Sequence, residues 1–313
     1  MAIKKIHSVN LDAAESVFFA RELEHIKSEV FEVEYQELKA RTLIPMSTSA
    51  DPADEFITYR QFDKVGSAKL ISDYASDLPR VDRKGQEFQA KVRSIGDSYG
   101  YSLQEIRASR KTGRPLDQMR ADTAREAALI LENDIAWFGD TAHMLDGVLS
   151  NANVTSVTIP ADGAGSLKTW ASKTGEQMAR DMHLVANSIV ELTKGREIPD
   201  TLLLPLEQLN LASSTRLSTS TASDVTALEF FMKTSKYIKN VEWLEELDGA
   251  GAGATDVVLA YKRDPRKLTM EVPQDFEQLP PQERGLEFVV PCHQRTGGVI
   301  IYKPLSLAKG EGI

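Results

Sequence analysis

Residues 115–138 constrain the possible fold more than any other part of the sequence. Pro115 suits the first position of a helix, where its missing N–H costs nothing, and Gly139 stands where a left-handed residue would end that helix. Between them, apolar or small residues recur at steps of three and four, which predicts one apolar stripe. They are Leu116, Met119, Thr123, Ala127, Leu131, Ile135 and Phe138. At 1.5 Å per residue this "spine helix" would be roughly 36 Å long, enough to brace a domain. Asp134 lies on the same stripe, so we expect a charged structural partner for it rather than a catalytic role.

Composition narrows the class of protein. The chain has 313 residues, a formal net charge of -9 and one cysteine, Cys292. The length allows one large domain or two to three smaller ones. A single cysteine excludes an internal disulfide framework, and its apolar surroundings predict a buried side chain rather than a nucleophile. The acidic balance argues against bulk binding of nucleic acid, and we expect neither a signal peptide nor a membrane span.

Residues 1–45 have the composition of an arm without a core of its own. Four apolar residues keep helical spacing: Phe19, Leu23, Ile26 and Val30. Their surroundings are strongly acidic, and Arg21 and Lys27 are the cations that stand among them. The acidic residues are Asp12, Glu15, Glu22, Glu24, Glu29, Glu32, Glu34 and Glu37. One narrow apolar stripe on so charged a helix needs another surface on which to dock.

Residues 46–101 predict an extended hairpin. Two segments, 55–71 and 87–101, have the composition of long strands, and the breakers Pro79 and Gly85 lie between them. The predicted tip is locally basic, with Arg80, Arg83, Lys84, Lys91 and Arg93 against Asp82 and Glu87. An isolated two-stranded hairpin is marginal in water, and its open edges invite pairing with another chain.

The remaining chain predicts a mixed α+β body. Capping boxes at Ser102–Glu105 and Thr174–Gln177 open two helices. Helices and short strands alternate from 174 to 261, which favours a compact α+β subdomain. Late strands at 267–272, 286–290 and 298–302 are expected to pair beneath the spine helix.

Motifs that carry chemistry are weak. Gly96-Asp-Ser98-Tyr-Gly100 matches the G-x-S-x-G nucleophile elbow of serine hydrolases, but no oxyanion loop precedes it, and the following helix starts only at Ser102. The glycines are better explained as letting a strand end turn. The glycine-rich run 249–254 lacks phosphate-loop spacing and predicts a flexible loop. His143 with Asp140 and Asp146 is weak support for a metal site. We therefore assign no catalytic, metal or cofactor-binding residue and expect no cofactor.

Six segments stand out together with the order of the parts: FFARELEHIKSEV, YQELKARTLIP, ITYRQFDKVGSAKLISDYASDLPRVD, VRSIGDSYGYSLQEIRA, PLDQMRADTAREA and IAWFGD. In these segments and in that order the chain resembles the Hong Kong 97-type fold of tailed-phage major capsid proteins, in the family first catalogued as a domain of unknown function. It implies an N-terminal arm at 1–45, an extended hairpin loop at 46–101 and a peripheral domain at 102–173 containing the spine helix. An axial domain at 174–266 and return strands of the peripheral domain at 267–313 would follow.

The resemblance implies a structural protein, not an enzyme. Copies would form hexamers and pentamers of an icosahedral head that encloses double-stranded DNA without sequence-specific binding. Portal, scaffold or decoration proteins are candidate partners, no membrane is involved, and assembly would take place in the host bacterial cytoplasm. An encapsulin-type compartment shell is the alternative, and a serine hydrolase using Ser98 is a more distant one.

The charge pattern gives a hypothesis for contacts between copies. We expect the basic residues Arg80, Arg83, Lys84 and Arg93 of one copy to meet acidic residues of a neighbour. The acidic candidates in the arm are Glu22, Glu29 and Glu32.

Overall fold

The computed structural model describes residues 37–65, 82–112, 119–218 and 224–313. The helices in these ranges are α1 Ala40–Leu43, α2 Leu103–Thr112, α3 Met119–Phe138, α4 Gly175–Leu192, α5 Leu206–Ser214 and α6 Ala227–Thr234. The strands are β1 Met46–Ser47, β2 Phe56–Val65, β3 Asp82–Lys91, β4 Arg93–Ser102, β5 Thr155–Thr158, β6 Thr201–Leu204, β7 Asn240–Trp243, β8 Val257–Tyr261, β9 Leu268–Glu271, β10 Gln274–Gln278, β11 Gln282–Arg284, β12 Glu287–Thr296, β13 Val299–Ile301 and β14 Leu307–Glu311. Residues 38–313 form one compact unit, and the mixture of elements is the expected α+β class.

A five-stranded sheet with the order β5-β14-β8-β6-β7 lies between two apolar cores. Strands β6 and β8 are buried at every position, which is why they read as continuous apolar runs. On one face, Val258 and Ala260 pack with α4, α5 and α6. On the other face, Leu259 and Tyr261 pack with α1 and the C-terminal end of α3. This sheet therefore joins the two halves of the body.

The last strand, β14, departs from the expected arrangement. Strands β9 and β13 pair with each other as predicted, and β12 is also confirmed. Strand β14 instead lies inside the five-stranded sheet, antiparallel to β8 and parallel to β5. Its sequence, LAKGE, is a poor strand signal, but Gly310 is required there. A Cβ at this position would lie 2.8 Å from Val185 Cγ2 and 2.9 Å from Ile159 Cδ1, so a glycine lets α4 pack closely on the sheet.

The spine helix is confirmed as α3 over 119–138, but its predicted apolar stripe is largely wrong. The residues it buries include Ala124, Ala128 and Ile135, and Ala128 and Ile135 pack against Ile95 of β4. The small alanine side chains allow close packing on the sheet of β4 and β12, so the helix is buried through a face that the predicted stripe marked only at Ile135. Of the predicted stripe, Met119, Thr123, Ala127, Leu131 and Phe138 are exposed, and Leu116 lies outside the described residues.

Two further expectations about the spine helix have different outcomes. Gly139 ends α3 with a φ of +71°, as predicted, and its N–H donates to the Ile135 carbonyl. Asp134 is exposed, and no described residue forms a salt bridge with it, so its expected structural partner stays a prediction. The buried carboxylate of α3 is Glu132.

The hairpin is shorter at its second strand than predicted. Strands β2 and β3 pair antiparallel from Phe56↔Lys91 to Val65↔Asp82. The chain then leaves the hairpin at Val92, which is buried and donates its N–H to the Glu55 carbonyl. Residues 93–102, expected to continue the same strand, form β4 and pair with β12 along its whole length. Of the predicted tip, 73–86, residues 73–81 lie outside the described residues, whereas residues 82–86 belong to β3.

Both predicted capping boxes are present. The Thr174 N–H donates to Gln177 Oε1 at 2.9 Å, and the Gln177 N–H donates to Thr174 Oγ1 at 3.4 Å. The reciprocal bonds of Ser102 and Glu105 measure 2.8 and 3.2 Å. Each box satisfies two N–H groups that a helix start would otherwise leave unpaired.

We expect Thr174→Ala to lower the free energy of unfolding by about 0.5–2 kcal/mol, because it removes the acceptor for the Gln177 N–H. Urea denaturation followed by circular dichroism measures the change. Thr174→Ser, which keeps the acceptor, serves as the control. Equal losses for the two variants would show that the hydroxyl does not contribute.

Candidate inter-subunit interface

The β2–β3 hairpin has two different faces. Alternate residues of a strand share a face, so Tyr59 and Gln61 of β2 lie on one side and Phe56, Arg60 and Phe62 on the other. Tyr59 packs on the body of the protein, whereas Phe56 and Phe62 are 50% and 60% exposed. Among the described residues, neither outer edge of the hairpin is paired with another strand. The hairpin therefore presents apolar side chains and free backbone groups at the surface.

Aromatic contacts fix the base of the hairpin. The Tyr59 ring stacks on Phe88 at 5.2 Å and meets the edge of Tyr302 at 5.0 Å. The Tyr302 hydroxyl lies 3.0 Å from Thr269 Oγ1 and donates to buried Glu271 at 3.3 Å. Burial raises the pKa of Tyr59. A cleft of about 560 Å³ separates the hairpin from the loop around Met144 and from strand β13.

The outward face combines an exposed aromatic ring with an ion pair. Phe62 lies opposite Gly85, and a Cβ on Gly85 would come within 2.9 Å of the Phe62 ring. The absent side chain thus lets the ring lie over the neighbouring strand. Next to it, Arg60 Nε lies 2.7 Å from Glu87 Oε1, and both side chains are exposed. An exposed ion pair contributes little to stability, so this face is available for contact with another chain.

A second feature, the "anchor site", holds helix α1 on the rest of the compact unit. It consists of Arg41, Glu132, Asp275 and Gln294. Arg41 donates to both carboxylate oxygens of Glu132, at 2.9 and 2.7 Å, and to Asp275 at 2.8 Å. Gln294 of β12 also donates to Glu132. The bidentate geometry fixes orientation as well as distance, so it holds helix α1 in one position on α3 and β10.

Neighbouring residues strengthen this attachment. The Ala40 N–H donates to Asn133 Oδ1 at 3.0 Å. The Lys39 ammonium lies 3.1 Å from the centre of the Trp243 ring and donates to the Trp243 carbonyl. The Tyr261 hydroxyl donates to the Leu43 carbonyl at 2.8 Å. Helix α1 is therefore fixed both to the spine helix and to the five-stranded sheet.

The electrostatics of the anchor site depend on burial. Glu132 is 1% exposed, and desolvation raises its pKa even though Arg41 acts in the opposite direction. The hydrogen bond from Arg41 lowers the pKa of Asp275, which is more exposed. Arg41 thus balances the negative charge of one buried and one exposed carboxylate.

The residues proposed from the sequence for contacts between copies are not brought together within the described residues. Arg80 and the acidic candidates Glu22, Glu29 and Glu32 lie outside those residues. Arg83 and Lys84 belong by their backbone to β3 rather than to the hairpin tip. Arg93 begins β4 and donates to the His143 carbonyl of its own chain at 3.1 Å. These contacts stay a hypothesis.

Sequence reasoning missed the anchor site. Its four members come from α1, α3, β10 and β12, and no spacing along the chain connects them. Glu132 stands next to Asn133 in a charged helix and looks like a solvated residue. Only the packing of α3 on the sheet shows that it is buried.

The weak chemical motifs have structural explanations. Ser98 lies in the middle of β4, opposite Pro291, and not at a turn between a strand and a helix, so the nucleophile elbow is wrong. The explanation that the glycines turn a strand end is also wrong, because β4 continues to Ser102. His143 Nδ1 lies 2.5 Å from Asp140 Oδ2 in an exposed loop, and this bond lowers the pKa of Asp140. Within the described ranges, no three His, Cys, Asp or Glu residues are arranged to hold a metal. Cys292 is buried, as expected.

No helix in the described part of the chain is both long and apolar enough to cross a membrane. This finding concerns helices alone.

Solved structures share this architecture. The capsid of Myoviridae phage XM1 matches with a TM-score of 0.79 at 16% identity, covering 96% of this chain and 100% of that one. Mycobacterium phage Ogopogo matches with a TM-score of 0.61 at 11% identity, covering 95% and 99%. A virus-like particle from Pyrococcus furiosus matches with a TM-score of 0.52 at 12% identity, covering 86% and 90%. No curated protein sequence matches. At these identities the likeness shows the fold, which is of the Hong Kong 97 type.

The sequence defines the family more narrowly than the fold does. The family described as "Major capsid protein" matches residues 66–313, and the chain belongs to it. The protein is thus a structural component of a phage virion that assembles with copies of itself into capsid oligomers.

Proposed function

We propose that this protein forms the hexamers and pentamers of an icosahedral phage head and encloses double-stranded DNA. The match of residues 66–313 to the major capsid protein family carries this proposal. The head is assembled in the cytoplasm of the host bacterium, with portal, scaffold or decoration proteins as further partners. The net charge of -9 supports DNA enclosure without tight binding, because like charges repel.

The surfaces of the protomer support the proposal. A two-stranded hairpin is marginally stable alone, and the outward face here carries the exposed Phe56 and Phe62. Identical copies arranged in closed symmetry can cover such a face on every subunit. In this proposal residues 174–266, together with β14, form the axial domain, and residues 46–92 form the extended loop.

Particle imaging tests this function. Purified protein at high concentration should form large closed particles in negative-stain electron microscopy and in gel filtration. Particles taken from virions should contain nuclease-protected DNA. A chain that stays monomeric at high concentration, with or without its partner proteins, would contradict the proposal.

An encapsulin-type compartment is the second candidate. The likeness to the Pyrococcus furiosus virus-like particle favours it, although at 12% identity this likeness concerns the fold alone. Both candidates predict particles, and their contents separate them. A cargo enzyme and no genome would support the compartment, whereas a packaged genome would support the phage head.

We further propose that Arg80, Arg83, Lys84 and Arg93 of one copy meet Glu22, Glu29 and Glu32 of a neighbour. Each exposed pair contributes only about 0.2–1 kcal/mol, so repetition over many copies supplies the binding. The opposite charges of the two segments support this contact.

We expect the double substitution Arg83→Glu with Lys84→Glu to reduce the yield of normal heads strongly, because it places like charges at every such contact. Particle yield is measured by sedimentation and electron microscopy, and circular dichroism verifies the fold. The charge-preserving pair Arg83→Lys with Lys84→Arg is the control and should assemble normally. Normal heads from the reversed pair would rule out the contact.

A further inference from the structure

Four loops meet at one end of the five-stranded sheet. The register pairs Thr201 with Asn240 and with Tyr261, so β6 and β7 start and β8 ends at the same level. Strand β14 also begins there, because Leu307 pairs with Tyr261. We call these loops together the "basic edge"; they are residues 194–200, 236–239, 262–267 and 302–303.

Backbone hydrogen bonds hold the four loops against each other. The Asp200 carbonyl accepts from the Lys239 N–H at 2.9 Å, and Asp200 Oδ1 accepts from the Arg263 N–H at 2.9 Å. The Lys267 carbonyl accepts from the Lys303 N–H at 3.2 Å. The basic edge is therefore one surface with fixed backbone positions, although its parts are far apart in the sequence.

The basic edge has the opposite charge to the rest of the chain. It contains nine of the 37 lysines and arginines but three of the 46 aspartates and glutamates. The exposed cations include Lys194, Arg196, Lys239, Arg263, Arg266 and Lys303. The net charge of -9 therefore does not describe this surface.

One buried carboxylate lies between two lysines at the basic edge. Glu197 is 5% exposed; its Oε2 lies 2.5 Å from the Lys267 ammonium, and its Oε1 lies 3.8 Å from the Lys303 ammonium. The adjacent Lys267 lowers the pKa of Lys303, and Arg196 acts in the same direction. Positive charge thus exceeds negative charge at this point, which favours an anion beside Lys303.

The other two carboxylates of the basic edge hold the backbone of its loops. Asp200 and Asp264 accept from the N–H groups of Arg263 and Arg266, at 2.9 Å in each case. No carboxylate in the described part of the chain forms an ion pair with Arg196, Arg263 or Arg266. A guanidinium group can donate two parallel hydrogen bonds to a phosphate, so these three side chains suit a phosphate partner.

Double-stranded DNA matches this surface better than another protein does. A soluble protein surface intersperses charges of both signs, so it would set cations of its own against part of the basic edge. The DNA duplex carries one negative charge per about 1.7 Å of helix axis and no positive charge. Cations on four neighbouring loops can each meet a phosphate of such a partner.

We propose that the basic edge binds the phosphate backbone of double-stranded DNA without reading its sequence, through Arg196, Arg263 and Arg266. This inference rests on the proposed function and specifies which surface of the protomer contacts the packaged genome. The acidic remainder of the chain repels DNA, so the contact is local and depends strongly on salt.

Binding of a short, fluorescently labelled DNA duplex tests the inference on full-length protein below the concentration at which it assembles. The triple substitution Arg196→Gln, Arg263→Gln and Arg266→Gln should lower the affinity at least tenfold in fluorescence anisotropy. It should also reduce the slope of log affinity against log salt by about 3, because three phosphate contacts are lost. The triple substitution of the same arginines by lysine keeps the charge and should keep most of the affinity.

A matched control separates the basic edge from net charge. Arg107→Gln, Arg110→Gln and Lys111→Gln remove the same charge from exposed positions of α2 and should leave DNA binding unchanged. Equal losses in the two glutamine triples, or wild-type protein that does not bind the duplex, would overturn the inference. Particle formation is measured separately, so the proposed function would survive either result. Wild-type protein that forms no particles would instead remove the proposed function.

Lysine acetylation tests the contact inside assembled particles. Lys239 and Lys303 should be acetylated less in DNA-filled particles than in DNA-free particles, whereas Lys111 should be acetylated equally in both, as measured by mass spectrometry of the digested protein. Equal protection of Lys239 and Lys303 in the two kinds of particle would show that a protein covers the basic edge, and it would overturn the inference. Equal, full acetylation in both would overturn it as well, because DNA would then not reach this surface.

Discussion

Arg41→Met is expected to lower the free energy of unfolding by about 3–5 kcal/mol, because it leaves Glu132 buried without its counter-charge. Glu132 is 1% exposed, and after the substitution the described side chain that still donates to it is the neutral amide of Gln294. Methionine keeps much of the volume and flexibility of the arginine side chain, so the loss reports on charge more than on packing. Urea denaturation at neutral pH gives the value.

The deficit of this variant should grow with pH. Burial raises the pKa of Glu132, so the folded state holds its proton more tightly than the unfolded chain. The stabilisation that such a group contributes is fully present below its ordinary pKa, and it is lost as the pH rises through the raised pKa of the folded state. Without Arg41, the pKa of Glu132 rises further, and the penalty at neutral pH increases. Arg41 lowers the pKa of Asp275, so the stabilisation from this carboxylate is present above its ordinary pKa and is lost as the pH falls through the lowered value. The variant loses this contribution at neutral pH as well, and the loss is smaller because Asp275 is exposed.

Two comparisons make the Arg41 prediction decisive. Arg41→Met with Glu132→Gln removes both charges and should recover much of the lost stability. The difference between wild type and Arg41→Met should be smaller near pH 4 than near pH 7. A deficit that is constant with pH, together with no recovery in the double variant, would show that Arg41 acts only through packing.

The sequence predicted local features of this protein well. Capping residues and the glycine at 139 act through neighbours along the chain, and each is present. The family resemblance is also confirmed, since the chain belongs to the major capsid proteins.

Features that depend on distant contacts could not be predicted from the sequence. The helical period marked a stripe on α3 that is mostly exposed, because period alone does not tell whether an apolar stripe faces the core of the protomer. Ala124 and Ala128 bury the adjacent face of α3 because they allow close packing, which depends on both surfaces that meet. Gly310 in β14 also depends on distant contacts. A side chain at this position would collide with Val185 and Ile159, which are far away in sequence.

Asp181→Leu should cause a loss of similar size, about 3–5 kcal/mol, at the opposite end of the body. Lys173 Nζ lies 2.6 Å from Asp181 Oδ2, and both side chains are fully buried. The same ammonium donates to the Pro160 carbonyl at 2.8 Å, so the pair ties the segment 160–173 to α4. Without Asp181, the carboxylate that remains near the Lys173 ammonium is that of Asp162, at 3.5 Å, and it is partly exposed.

The two partners of this pair should not be equivalent. Lys173→Met leaves Asp181 bound to Arg180 at 2.8 Å, so its carboxylate keeps a counter-charge and the loss should be smaller, about 1–3 kcal/mol. Lys173→Met with Asp181→Leu buries no charge at either position and should be closer to wild type than Asp181→Leu alone. Urea denaturation of the three variants tests the order, and limited proteolysis within 160–173 tests where the structure loosens. Equal losses from the two single substitutions would show that Arg180 does not hold Asp181 in the folded protein.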